Sequence, residues 1–83
     1  ANSQKRQALE KGLEAALLEE GYKNIKVEIT AGFLEKFEIN LVKLDLSNLS
    51  ITKGVSNINK IEKIRDLTAE FLKINRDKII IYE

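Results

Sequence analysis

The side chains of this chain that could move a proton are carboxylates, because it contains no histidine and no cysteine. Those two absences remove the commonest general base and the strongest nucleophile. Glu10, Glu14, Glu19, Glu28, Glu38, Glu62, Asp66 and Glu70 fall beside lysines on predicted solvent faces. Surface ion pairing is the expected role of carboxylates so placed. Asp45 stands apart between Leu44 and Leu46, and a hydrogen bond at a strand end accounts for it. The four glycines, Gly12, Gly21, Gly32 and Gly54, are too scattered to cradle a phosphate. No acidic spacing matches a calcium loop either. The sequence therefore predicts no catalytic residue, no cofactor, no metal site and no small-molecule substrate: a chain that is not an enzyme.

The bulk properties narrow the remaining classes. At 83 residues this is one domain near the lower limit for burying a self-sufficient core. Fourteen Lys and Arg against 13 Asp and Glu leave a net charge of +1. That balance argues against a partner recognised mainly by bulk charge, such as duplex nucleic acid or an anionic membrane. No apolar run approaches the length of a bilayer span, and no signal peptide is present. A chain starting Ala1-Asn2-Ser3 without methionine reads as a processed or excised piece of a longer protein. Residues 1–3 then read as an appended remnant, residues 4–83 as the domain, and any membrane anchor as lying upstream.

The elements that must position these side chains follow from hydrophobic periodicity. In residues 4–20, Leu9, Leu13, Ala16 and Leu17 form one stripe of an amphipathic helix, and Gly21 supplies a left-handed stop. Gly12 lies mid-helix, either as a neutral surface glycine, the simpler reading, or where another backbone comes close. Residues 23–30 alternate, with Ile25, Val27 and Ile29 inward and Lys26 and Glu28 outward. After a turn, FEINLVKLDL begins with Phe37, Ile39 and Leu41 on one face and continues with Val42, Leu44 and Leu46 on the other. A β-bulge or sharp twist near Leu41-Val42 explains that slip. Residues 47–57 read as a loop that could briefly extend the hairpin. Asn57 or Asn59 caps a second helix carrying Ile58, Ile61, Ile64, Leu67, Thr68, Phe71 and Leu72 at helical spacing. Asn75-Arg76-Asp77 ends it, and Lys78–Tyr82 forms the last strand.

The resulting order, α-β-β-α-β, predicts an α+β two-layer sandwich with two helices on one face of a three-stranded sheet. Such a sandwich covers one sheet face only. Val42, Leu44, Leu46, Ile80 and Tyr82 are then the candidate subunit interface on the open face. The competing account tucks Ile80 beneath the 47–57 loop. Small α+β sheets also bind RNA, which makes a small KH-like RNA-binding module the alternative function. A KH domain, however, needs a GXXG clamp, and no two glycines here are three apart. No nucleic-acid partner is therefore expected.

Taken together, YKNIKVEI, FEINLVKLDL and NKIEKIRDLTAEFLKINRDKIIIYE resemble the C-terminal soluble domain of stage III sporulation protein AF of endospore-forming bacteria. The closing pattern carries most of the likeness: a Lys/Glu-rich helix ending FLKIN, the turn RDK, and a branched-aliphatic strand. The element order is similar to the ring-building motif shared by subunits of that complex and of specialised secretion systems. The likeness covers residues 4–83 and is one of pattern and composition. The related AG subunit carries a large β insertion for which residues 47–57 are too short. The resemblance implies a non-enzymatic subunit of the channel complex between mother cell and forespore, held on the mother-cell membrane by upstream segments. The domain would face the intervening space, and its partners would be copies of itself or related subunits. No catalytic residue transfers with the resemblance.

Overall fold

The computed structural model describes residues 2–83. Helix α1 (Asn2–Glu19) buries Leu13 and Leu17 and half-buries Leu9 and Ala16, which is the stripe expected from the spacing. It stops at Gly21, whose φ of 95° places it in the left-handed region, with its amide donating to the Leu18 carbonyl oxygen at 2.9 Å. Any side chain here would also meet Val55, since a Cβ on Gly21 would lie 2.5 Å from Val55 Cγ2. The short strand β1 (Tyr22–Lys23) follows. A left-handed kink at Asn24 (φ 65°) then turns the chain into β2 (Lys26–Gly32).

β2 pairs antiparallel with β3 (Glu38–Asp45), and one residue is left over. Thr30 opposes Leu41 while Ala31 opposes Ile39, so Asn40 has no partner across the ladder. The slip read from the sequence is this bulge, one to two residues earlier than the pattern suggested. Its effect is the reverse of a face exchange. By absorbing the extra residue, Asn40 lets Ile39, Val42, Leu44 and Leu46 all face the helices, and all four are buried.

The 47–57 segment contains a two-residue strand, β4 (Ser50–Ile51), paired antiparallel with β1. It folds against the helix layer, with Val55 beneath Gly21, and not across the open sheet face. Helix α2 (Lys60–Leu72) buries Ile64 and Thr68, and the Thr68 hydroxyl donates to the Ile64 carbonyl oxygen at 2.8 Å. Asn59 stands at its N-cap position but in the left-handed region, and its side chain makes no cap hydrogen bond. Ile58, expected on the apolar face, precedes the helix and is exposed. A left-handed Lys73 closes the helix. The 3-10 turn Arg76–Lys78 then leads into β5 (Ile79–Tyr82), with the Asn75 side chain accepting from the Asp77 amide at 3.3 Å.

β5 runs parallel to β3, so the main sheet has the order β2-β3-β5. Both helices pack on one side of it, which makes the chain an α+β two-layer sandwich of two helices on a three-stranded mixed sheet. The core lies between the layers and joins Leu13, Leu17, Tyr22, Ile64 and Ile79 to the inward residues of β2 and β3. Gly12 is more than a neutral surface glycine: a Cβ there would sit 3.1 Å from the ring of Phe71, a side chain of α2. Among the described residues no helix is long and apolar enough to cross a membrane.

Candidate interaction surface

The register fixes what the uncovered face presents. Strand alternation sends Val27, Ile29, Val42, Leu44, Ile79 and Ile81 toward the helices, so their neighbours point away. Three rows then cross the open face: Lys26, Asp45 and Tyr82; Glu28, Lys43 and Ile80; and Thr30 beside Leu41. The two full rows each set opposite charges side by side and end on an apolar side chain of β5, the kind of cross-strand pairing that stabilises a sheet modestly. Three consecutive isoleucines are thereby explained. Ile79 and Ile81 belong to the helix side, and Ile80 to the open one.

This placement divides the five interface candidates. Ile80 and Tyr82 stand on the open face, 38% and 49% exposed. Val42 and Leu44 are completely buried and Leu46 is 6% exposed, all beneath the helices, so these three are core residues and not part of a surface. The physical reason is the Asn40 bulge, which restores their phase. Leu41, which the sequence pattern grouped with the inward residues Phe37 and Ile39, takes their place as the half-buried aliphatic of the open face.

The lateral edges of the sheet are engaged by its own helices. On the β2 edge, Glu10 of α1 accepts a hydrogen bond from the Ile29 amide at 2.7 Å while its carboxylate pairs with Arg6 at 3.0 Å. On the β5 edge, Arg65 of α2 donates to the Ile79 carbonyl oxygen at 2.7 Å. Helix side chains that occupy edge groups discourage another strand from adding there. Neither role was legible in the sequence, where Glu10 reads as one more surface carboxylate. The only hint is that Glu10 borders the Leu9–Leu13 stripe, four residues after Arg6.

The polar groups on the open face and on the exposed side of α2 show structural chemistry. The Asp45 carboxylate accepts from the Ser47 amide at 2.9 Å, a turn closing the end of β3. That backbone hydrogen bond, with a second from the Ser47 side chain and the positive charge of Lys26 opposite, holds its pKa below the usual carboxylate range. Arg76 bridges Glu62 and Asp66 on the exposed side of α2, its Nε lying 3.1 Å from Asp66. Among the described residues no three acidic side chains gather to hold a metal ion, and no buried side-chain polar atom lacks a partner. No protein-family model, curated protein or solved structure matches this chain.

Proposed function

We propose that this chain is a non-enzymatic assembly domain, which packs against copies of itself or related subunits through the open face of its sheet. The observation that carries the reading is the apolar margin of that face, Ile80 and Tyr82 on β5, with Leu41 one row from Ile80 on β3, next to a core that is already complete without them. With Glu10 and Arg65 occupying the sheet edges, the face is a better contact than strand addition. A helix layer or flank of one subunit against the sheet face of the next is a head-to-tail contact, which closes into a ring when the rotation permits. An apolar margin of this size gives weak contacts, which become effective when subunits are held at high local concentration. The resemblance to the sporulation domain extends the proposal. The assembly would then be the channel complex between mother cell and forespore, with segments outside these 83 residues holding the domain on the mother-cell membrane.

Sedimentation velocity over a rising concentration series tests the face. Self-association should grow with concentration and fall in Ile80→Asp and Tyr82→Ser, with both variants keeping their thermal midpoint within a few degrees. Association that persists unchanged in both variants rules out this face. Unfolding of Ile80→Asp would assign that side chain to the core.

A further inference from the structure

The near-neutral net charge conceals an uneven distribution. At one end of the molecule Lys5 of α1, Lys36 of the β2–β3 turn, Lys73 at the close of α2 and Lys78 line a groove of about 510 Å³. Its apolar lining includes Leu9, Phe37, Ile39 and Leu72, and Glu38 is its one acidic member. The Lys5 ammonium lies 4.6 Å from the Phe37 ring centroid, and Lys78 donates to the Ile39 carbonyl oxygen at 3.1 Å. The shallow groove between α1 and α2 has the opposite character, with Glu19, Glu20 and Glu70 and no basic residue.

The β2–β3 turn beside the basic groove also exposes apolar side chains. Leu34 is fully exposed and Phe33 is 38% exposed, although Phe33 has Phe37 as a neighbour with ring centroids 5.1 Å apart. Leu34 is not part of the basic groove; it belongs to the adjoining surface with Glu35 and Lys36. Counting that surface, the end presents four lysines against two carboxylates, Glu35 and Glu38.

We propose that this end of the domain rests on an anionic lipid bilayer, with Leu34 and Phe33 entering the headgroup layer and Lys5, Lys36 and Lys73 reaching lipid phosphates. Exposed apolar side chains at the tip of a turn, adjoining a groove lined by four lysines, have the chemistry of an interfacial anchor: the first gain from leaving water, the second from the negative surface. Long lysine stems keep their charge at phosphate level while their methylenes lie along apolar surface. An acidic peptide would match the groove but would leave Leu34, which lies outside it, in water; a deformable headgroup layer offers partners to both. The proposal needs one chain and one bilayer, and it does not depend on the assembly reading.

Co-sedimentation with vesicles tests it. The chain should bind vesicles of mixed phosphatidylglycerol and phosphatidylcholine at low salt and lose them as salt rises, and it should not bind phosphatidylcholine alone. Leu34→Ser should lower the partition coefficient about tenfold, as expected for a leucine returned to water. Lys36→Gln should lower it about fivefold. Lys63→Gln, which removes the same charge near the start of α2, should leave it unchanged. Circular dichroism confirms that each variant stays folded. No binding to the mixed vesicles, indifference to Leu34→Ser, or equal losses in Lys36→Gln and Lys63→Gln would each overturn the proposal. So would binding of a glutamate-rich amphipathic peptide more tightly than the vesicles.

Discussion

On the helix side of the sheet, Val27, Ile29, Val42, Leu44 and Ile79 are almost wholly out of contact with water. One residue along the same strands, Glu28, Lys43, Asp45 and Ile80 lie on the opposite face. The two faces share a backbone, a twist and a register, yet they answer to different requirements. The helix side is held by shape and volume, because the side chains there form one buried cluster with Leu13, Leu17 and Ile64 of the helices and no water can fill a gap. The open side is held by pairing along rows, and water remains an alternative partner for every group on it. Position parity, more than residue type, decides what a substitution does in this domain.

The largest expected effect follows directly. Leu44→Ala should cost about 2–5 kcal/mol by leaving a cavity among packed neighbours, a large share of the ~5–15 kcal/mol typical of a whole domain. Ile80→Ala, one strand position from the buried Ile79, should cost about 1 kcal/mol or less. Urea unfolding of the two variants side by side measures the contrast, and equal losses would mean that the open face is as tightly packed as the core. An intermediate effect is expected at the boundary between the faces. Glu10→Ala leaves the Ile29 amide without its acceptor and should cost about 1–3 kcal/mol, with Glu10→Gln recovering part of the loss because an amide oxygen can still accept. If Glu10→Ala is silent in the same assay, water replaces the carboxylate and the β2 edge is open.

The smallest effect belongs to Asp45 on the open side. Its folded-state pKa is lowered, so its contribution to stability is present above the usual carboxylate value and is lost as pH falls through the lowered one. Asp45→Asn should therefore be slightly less stable than the parent near neutrality, and the difference should shrink below about pH 4. Urea midpoints measured across that range check the sign. A difference that grows in acid would contradict the hydrogen bond from Ser47 as its cause.

Much of the helix-side pattern could be read from the residues alone. The alternation of Ile25, Val27 and Ile29, the stripe on α1 and the stop at Gly21 are local signals, and each appears in the structure where the spacing puts it. The slip in β3 was visible too, but its meaning was not. A face exchange and a bulge that preserves the face leave the same letters between Phe37 and Leu46, and only the helices above the sheet distinguish them. The pattern therefore puts Val42, Leu44 and Leu46 on the open face, whereas the structure buries them beneath the helices; Ile80 and Tyr82, on the short last strand, are exposed on that face. The parallel pairing of β3 with β5, the Glu10 bond to Ile29 and the Arg65 bond to Ile79 join residues 14 or more positions apart. No local periodicity encodes such contacts.

Gly12 and Phe71 have a further consequence for the helix layer. The missing side chain at Gly12 makes a notch in α1, and the Phe71 ring fills it like a tooth. A tooth in a notch sets how far α2 can slide along α1, which the smoother leucine and isoleucine contacts between them do less sharply. A methyl group at position 12 would gain helix propensity and lose that detent, so the two helices of Gly12→Ala should hold their shapes while their relative offset drifts.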